Sequence, residues 1–209
     1  MLYRNLIWDF DGTLFDSYPH VTEAYYKALL DFGRDVDREE ILKHLKVSFT
    51  NAHEQLGSSP ELVKLFKKYE ADMDLEPVIT PYEGIVELIK DSCKEGVRHF
   101  IFTHRDNSSL EYLGRYGVLD CFTGGVTKSD RDKGIFVRKP KSDSIEYILK
   151  TYNIDPDDCA MVGDREIDIL SGKGAGTHGI LFDEFRNLGQ TVADHRVYTI
   201  AEMRELIFS

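Results

Sequence analysis

The chain has 209 residues, of which 42% are hydrophobic and 30% are charged, a composition typical of a globular protein with a substantial core. Its formal net charge of −11 at pH 7 argues against nucleic acid and anionic membrane surfaces as partners, because both are themselves negative. No stretch approaches the roughly 18 consecutive apolar residues of a membrane-spanning helix, and residues 1–5 lead straight into the first predicted strand, so we expect no signal peptide.

The predicted elements begin with a short strand over residues 4–8, where the run Leu6-Ile7-Trp8 is apolar. Four helices follow with no convincing strand between them, and they are predicted over Tyr18 to about Phe32, 37–46, 48–57 and 60–75. We therefore predict an all-helical domain at 17–80, inserted into a core domain formed by 1–16 and 81–209. Prolines near both crossings, at Phe15–Pro19 and Pro77–Pro81, are consistent with stiff linkers.

After Pro81, strands and helices alternate along the chain. Strands are predicted over 97–103, 122–126, 159–162 and 178–182, and helices over 84–95, 107–116, 142–152, 167–174 and 200–207. This alternation predicts an α/β fold, a Rossmann-like three-layer core in which a mostly parallel sheet has helices on both faces. In such sheets, ligands bind beyond the carboxyl ends of the strands.

Two aspartates, Asp9 and Asp11, directly follow the first predicted strand, and Gly12 marks a turn after them. Residues i and i+2 of an extended chain point to the same side, so we expect the two carboxylates near one point. Carboxylates that close repel each other unless a cation lies between them or one of them holds a proton. A hard divalent cation such as Mg²⁺ prefers oxygen ligands, so the pattern predicts a metal site beyond the strand.

The stretch from Trp8 to Ser17, Trp-Asp-Phe-Asp-Gly-Thr-Leu-Phe-Asp-Ser, resembles the first motif of the haloacid dehalogenase-like hydrolase superfamily. The resemblance implies that Asp9 is a nucleophile that becomes phosphorylated and that Asp11 is a general acid and base. Haloacid dehalogenases proper lack this second carboxylate, because a halide leaving group needs no proton. The presence of Asp11 therefore argues against dehalogenation, and the alternative for the motif alone is an acidic turn after a strand.

Two later segments resemble the second and third motifs of the superfamily, and each follows a predicted strand. Thr103 ends the second motif and is expected to hydrogen-bond the phosphoryl group; the alternative is that it caps the helix predicted to begin near Asp106. His104 and Arg105 depart from the usual pattern and are candidates for binding a second anionic group on the substrate. Lys139 precedes Pro140 as in the third motif, which implies that it neutralises the nucleophile and the phosphoryl oxygens; the alternative is a solvated basic loop.

The segment Gly163-Asp164-Arg165-Glu166-Ile167-Asp168 matches the fourth motif, Gly-Asp-x-x-x-Asp. The resemblance implies that Asp164 is a metal ligand, and that Asp168 either binds the metal through water or holds Lys139 in place. It also implies Mg²⁺ as the cofactor, held by Asp9, Asp164 and the backbone carbonyl of Asp11. Arg165 and Glu166 replace the small polar residues common at these positions, and we expect them to leave the metal role of Asp164 intact.

The inserted helices resemble the small cap of the subgroup that contains phosphoglycolate phosphatase and β-phosphoglucomutase. The resemblance implies a Mg²⁺-dependent phosphatase that hydrolyses small phosphorylated metabolites, phosphoglycolate-like or sugar phosphate monoesters, through an aspartyl-phosphate. A β-phosphoglucomutase-like isomerase is the first alternative, and a phosphate-binding module without catalysis is the second. The cap candidates for substrate specificity are His20, His44, Lys46, Ser48, Asn51 and His53.

The three cysteines, Cys93, Cys121 and Cys159, are odd in number, far apart in sequence and without metal-type spacing. They predict a reducing compartment, which we take to be the cytoplasm. The acidic composition and the lack of an evident coiled coil favour a monomer or a weak homodimer. The expected partner is therefore a small phosphorylated metabolite.

Overall fold

The computed structural model describes residues 1–72, 79–186 and 188–209. The strands, in chain order, are β1 (Asn5–Trp8), β2 (Phe15–Asp16), β3 (Thr80–Pro81), β4 (Arg98–Phe102), β5 (Phe122–Val126), β6 (Cys159–Gly163), β7 (His178–Phe182) and β8 (His195–Val197). The helices are α1 (Tyr18–Asp31), α2 (Arg38–Val47), α3 (Phe49–Gln55), α4 (Pro60–Asp72), α5 (Ile85–Lys94), α6 (Ser108–Arg115), α7 (Asp143–Tyr152), α8 (Glu166–Gly174) and α9 (Ile200–Ile207).

Six strands form one parallel sheet in the order β5-β4-β1-β6-β7-β8. Strand β1 lies between β4 and β6, so three strands that precede predicted motifs are neighbours. Trp8, the last residue of β1, pairs with Ile101 of β4 and with Val162 of β6, each one residue before the end of its strand, so the three strands end at nearly the same level. This arrangement confirms the predicted α/β fold with a mostly parallel sheet.

The parallel sheet is buried because helices cover it, which explains why its central strands are mostly apolar. Every residue of β1 and of β6 is buried. On one side of the sheet, Ile7, Phe100 and Met161 pack against Ile145 and Ile148 of α7. This packing gives β1 a rigid position and fixes the direction in which the chain continues after Trp8.

The chain divides into two compact units. The core unit consists of Met1–Phe15 and Pro81–Ser209, and the helical unit consists of Asp16–Thr80. The helical unit has its own apolar core, which includes Tyr25, Leu29, Ile41, Leu45 and Phe66 from its four helices. Strands β2 and β3 pair with each other at the two points where the chain passes from one unit to the other.

Most predicted elements begin and end within two residues of the observed ones, but three strands were not predicted. Strands β2 and β3 have two residues each and β8 has three, too short to give a pattern of alternating polarity. The predicted end of the last helix at 73–75, and Pro77 in the predicted linker, lie outside the described residues. None of the helices in the described ranges is long and apolar enough to cross a membrane.

A buried polar chain lies beside the first strand. The indole N–H of Trp8 donates to Nδ1 of His99 at 2.9 Å, and Nε2 of His99 lies 3.1 Å from Oγ of Ser92. Since Nδ1 accepts a hydrogen bond, Nε2 carries the proton and the imidazole is neutral. Burial lowers the pKa of His99 to about 4, which keeps the ring neutral at physiological pH.

Candidate active site

The parallel register brings the ends of β1, β4 and β6 to the same edge of the sheet. Asp9 continues β1, and its backbone N–H donates to the carbonyl of Val162 at 2.9 Å. Asp164 follows β6 in the same way, after Gly163, where an added Cβ would lie 2.3 Å from Cβ of Asp168. The glycine of the fourth motif is therefore required, because it lets the first turn of α8 approach the strand end closely.

Lys139 connects two buried carboxylates at this edge. Its Nζ lies 2.5 Å from Oδ1 of Asp9 and 2.7 Å from Oδ1 of Asp168, and all three side chains are at most 1% exposed. Asp168 also accepts a hydrogen bond at Oδ2 from the backbone N–H of Arg165, at 3.0 Å. Two roles were predicted for Asp168, binding the metal through water and holding Lys139 in place. The direct contact supports the second.

The pKa values of these three groups respond to burial and to one another. Burial raises the pKa of Asp9 to about 7, and Lys139 and Arg165 oppose this rise. Burial alone would raise the pKa of Asp168, but Lys139 and Arg165 together hold it below its usual value. Burial alone would lower the pKa of Lys139, but Asp168 and Asp9 hold it above its usual value. The contacts of Lys139 and Asp168 thus favour their charged forms, whereas burial works against the charged form of Asp9.

A divalent cation fits the donor set at this point. Among the described residues, Asp9, Asp164 and Asp168 each offer one carboxylate oxygen, and these three oxygens lie within 4.8 Å of one another. Oδ2 of Asp9 is buried and accepts no hydrogen bond from the part of the chain that the structure describes. Since a buried carboxylate oxygen without a partner is costly, a hard cation that binds oxygen would satisfy it.

Asp11 lies outside this cluster, which corrects the expectation that one cation separates the carboxylates of Asp9 and Asp11. Strand β1 ends at Trp8, so the two-residue periodicity of a strand does not extend to Asp11. Its Oδ1 lies 2.6 Å from a terminal nitrogen of Arg105, and Nε of Arg105 is 3.1 Å and 3.2 Å from the two carboxylate oxygens. Each aspartate thus has its own basic partner, and only the backbone carbonyl of Asp11 stays predicted as a metal ligand.

Thr103 and His104 organise the loop after β4. Oγ1 of Thr103 accepts a hydrogen bond from the backbone N–H of Arg105 at 3.0 Å, whereas α6 begins only at Ser108. The alternative that Thr103 caps this helix is therefore wrong. Nε2 of His104 accepts from the backbone N–H of Lys139 at 3.1 Å, and burial, with Lys139 nearby, lowers the pKa of His104 to about 3. A neutral His104 that positions Lys139 is a weak candidate for binding an anion, which leaves Arg105 as the stronger one.

Arg165 is the site residue that sequence reasoning missed. Its side chain is 6% exposed and lies against Asp9, Asp164 and Asp168, with nitrogen–oxygen distances of 3.7–4.0 Å. The sequence contains an indication of this role, because an arginine directly after a predicted metal ligand departs from the family's pattern. The neighbouring departure, Glu166, has a structural use, because it accepts hydrogen bonds from Thr191 and Val192.

Several cap candidates are bound within the helical unit itself. Oγ of Ser48 accepts from the backbone N–H of Asn51 at 2.9 Å and caps α3. His53 lies 2.8 Å from the hydroxyl of Tyr25, and Lys46 is buried over the ring of Tyr18. The remaining pairs are His44 with Asn51 at 3.3 Å and His20 with the carbonyl of Glu70 at 3.2 Å.

A parallel α/β sheet whose central strand ends in a buried aspartate, with a lysine and two further carboxylates around it, defines an enzyme centre of the hydrolase type. The chain matches the family model described as haloacid dehalogenase-like hydrolase over residues 6–182. It belongs to this family, which confirms the predicted family and the prediction of a hydrolase.

Individual relatives agree with this assignment. Phosphoglycolate phosphatase 1 of Pseudomonas aeruginosa is 27% identical over 224 aligned residues, which cover 99% of this chain and 79% of the relative. Pyrophosphatase PpaX of Bacillus cereus is 25% identical, with 85% of this chain and 82% of the relative covered. Among solved structures, a hydrolase from Streptococcus pneumoniae is 30% identical with full coverage of both chains and a TM-score of 0.66.

Proposed function

We propose that this protein is a Mg²⁺-dependent phosphatase that hydrolyses small phosphorylated metabolites, phosphoglycolate-like or sugar phosphate monoesters, through an aspartyl-phosphate. The observation that carries the proposal is the buried Asp9 at the end of the central strand, 2.5 Å from Lys139 and beside two further carboxylates. The names of the two curated relatives support the substrate class, since one acts on phosphoglycolate and the other on pyrophosphate.

The proposed reaction assigns a chemical role to each of the predicted catalytic residues. Asp9 attacks phosphorus in line with the leaving oxygen, and the bond to the leaving oxygen breaks as the aspartyl-phosphate forms. Asp11 gives a proton to the leaving oxygen and later takes one from the water that attacks the aspartyl-phosphate. Lys139 and Thr103 stabilise the negative charge on the equatorial phosphoryl oxygens. Asp9, Asp164 and the backbone carbonyl of Asp11 would hold Mg²⁺, which would supply positive charge for the phosphoryl oxygens.

Two further parts complete the proposal. The helical segment 17–80 acts as a cap that excludes bulk water and selects the substrate. The enzyme works in the cytoplasm on metabolites, as a monomer or a weak homodimer. An isomerase of the β-phosphoglucomutase type remains the second candidate, favoured only by the shared aspartyl-phosphate chemistry of the subgroup.

Arg105 is proposed to bind a second anionic group on the substrate. It holds the Asp11 carboxylate through a two-nitrogen contact, and the pair is partly open to water, with side-chain exposures of 19% and 27%. A guanidinium in this contact favours the ionised form of the carboxylate, whereas Asp11 must carry a proton to act as the acid. A substrate with its own anion near the leaving oxygen would take Arg105 and release Asp11.

Arg105→Gln should therefore remove the preference for substrates with a second anionic group. We expect the ratio of kcat/KM for phosphoglycolate to kcat/KM for ethyl phosphate to fall about 10- to 100-fold, the value of one charge-assisted contact. The measurement is steady-state phosphate release from both esters, with the exposed Arg138→Gln as the matched control. An unchanged ratio in Arg105→Gln would contradict the proposal that Arg105 binds a second anionic group on the substrate.

The test of the proposed function is phosphate release from a panel of phosphomonoesters with Mg²⁺, run beside Asp9→Asn and an EDTA control. The panel contains phosphoglycolate, hexose and pentose phosphates, nucleoside monophosphates and pyridoxal phosphate, with pyrophosphate added. We expect release that depends on metal and vanishes in Asp9→Asn, because the amide is no nucleophile. The profile then identifies the substrate class.

Absence of release from every compound by folded protein would contradict the phosphatase. The next measurement would then be interconversion of β-glucose 1-phosphate and glucose 6-phosphate. A positive result there would establish the isomerase, in which the phosphoenzyme passes its phosphoryl group to a sugar hydroxyl in place of water.

A further inference from the structure

Arg165 brings a second buried cation to the carboxylate cluster. Its guanidinium nitrogens lie 3.9 Å from Oδ2 of Asp9, 3.7 Å from Oδ1 of Asp164 and 4.0 Å from Oδ2 of Asp168. Its backbone N–H donates to Oδ2 of Asp168, which fixes the residue at the start of α8. Arginine is almost never buried unless its charge is used, so this position calls for a physical reason.

The distances distinguish Arg165 from Lys139. Lys139 contacts Asp9 and Asp168 at 2.5 Å and 2.7 Å, within direct hydrogen-bonding range. The ion pairs of Arg165 with Asp9, Asp164 and Asp168 measure 3.7–4.0 Å, which is longer than a hydrogen bond, so the attraction in these pairs is Coulombic. Lys139 thus fixes the carboxylates of Asp9 and Asp168 by direct contact, whereas Arg165 adds positive charge near all three.

The balance of charge shows what this second cation can do. With a divalent cation bound and the three carboxylates of Asp9, Asp164 and Asp168 each counted as one negative charge, Lys139 and Arg165 bring the centre to one net positive charge, which attracts a phosphoryl group. Without Arg165, the same centre with its metal is neutral and attracts the phosphoryl group less.

We propose that Arg165 is a further catalytic residue, whose guanidinium binds the phosphoryl group beside Lys139. This inference rests on the proposed phosphatase function. The planar guanidinium presents paired N–H donors that match two oxygens of a phosphoryl group, a geometry that a lysine lacks. Arg165 also adjoins Oδ2 of the nucleophile, the carboxylate oxygen on the side away from the Lys139 contact.

The test separates binding of the metal from binding of the anion. Calorimetry gives the Kd of Mg²⁺ for the metal-free protein, and then the Kd of inorganic phosphate at saturating Mg²⁺. In Arg165→Ser, phosphate should bind about 10- to 100-fold more weakly, because a charge-assisted contact is lost. Mg²⁺ should bind equally or roughly 3- to 10-fold more tightly, because a repelling charge is gone from the carboxylates.

The matched control is Arg138→Ser, which removes an exposed arginine next to Lys139 and should leave both dissociation constants unchanged. A purely structural role for Arg165 would weaken Mg²⁺ and phosphate binding together, and that result overturns the proposal. Unchanged phosphate affinity in Arg165→Ser overturns it as well. If this variant does not fold, Arg165→Lys decides by the same two measurements, with about tenfold weaker phosphate binding expected from loss of the paired donors.

The two levels of inference fail in different ways. If the wild-type protein binds neither Mg²⁺ nor phosphate and releases no phosphate from any ester, the proposed function fails and Arg165 loses its role with it. If the wild-type protein binds both and hydrolyses esters, while Arg165→Ser keeps its affinity for phosphate, only the role of Arg165 is lost.

Discussion

Lys139→Met should abolish phosphate release and destabilise the core unit by about 3 kcal/mol, the usual cost of leaving a buried charge without its partner. The ammonium group is fully buried and contacts Asp9 and Asp168 directly. Methionine has a similar length but no charge, so both buried carboxylates lose their partner. We expect a loss of at least about 10³ in kcat/KM, since charge on the phosphoryl oxygens is then balanced less well.

The pH dependence of the stability that Lys139 and Asp168 contribute follows from the shifts of their two pKa values. The pKa of Asp168 is lowered, so its contribution to stability is present above its usual pKa and is lost as the pH falls. The pKa of Lys139 is raised, so its contribution is present below its usual pKa and is lost as the pH rises. The contact between Lys139 and Asp168 therefore stabilises the protein between about pH 4 and pH 10. The difference in the free energy of unfolding between wild type and Lys139→Met should be large at pH 7 and shrink as the pH approaches 4.

Urea unfolding of wild type and variant at pH 7 and at pH 4.5, each with EDTA, measures this difference. The control is Lys141→Met, which removes an exposed lysine two positions away and should change neither stability nor activity appreciably. Mg²⁺ should restore part of the stability of Lys139→Met, because a divalent cation also balances the carboxylates. A variant that loses much less than about 10³ in kcat/KM would contradict the role given to Lys139.

Asp11→Asn should slow hydrolysis of alkyl phosphates by about 10²- to 10⁴-fold, the range for loss of a general acid or base. The two steps of the reaction should respond differently. An alkoxide must be protonated as it leaves, whereas nitrophenolate leaves without a proton. With p-nitrophenyl phosphate, the variant should therefore still transfer the phosphoryl group to Asp9 and then stop, because the water that attacks the aspartyl-phosphate has no base.

This predicts a burst of one nitrophenolate per enzyme molecule, observable by stopped-flow absorbance, with a phosphorylated protein detectable by mass spectrometry. Asp132→Asn, at an exposed position in the same unit, is the control and should behave as wild type. Equal losses with alkyl and aryl esters and no covalent intermediate would show that Asp11 is not the acid and base.

Residues whose positions depend on the backbone could be predicted from the sequence. Asp9 and Asp164 follow apolar strands, and the parallel register of these strands places both at one edge of the sheet. Lys139 and Asp168 come from a loop and a helix turn that also lie at this edge, and their contact was anticipated as one of two alternatives. The fold was predictable for a similar reason, because alternating strands and helices allow few arrangements.

Residues whose positions depend on long side chains were harder to predict. Arg105 and Arg165 each have several rotatable bonds, and no local pattern shows that one contacts Asp11 while the other adjoins Asp9. The expectation of a cation between Asp9 and Asp11 failed because it considered only repulsion between the two carboxylates. It overlooked that each carboxylate could meet a basic side chain from a different loop.

Trp8 gives the core unit a spectroscopic label. It is the single tryptophan of the chain, buried in β1 directly before Asp9, and its indole N–H is hydrogen-bonded to His99. Tryptophan fluorescence therefore reports on the core unit alone, since residues 16–80 contain tyrosines but no tryptophan. Emission recorded beside far-ultraviolet circular dichroism, to which both units contribute, can distinguish whether the two units unfold together or one after the other.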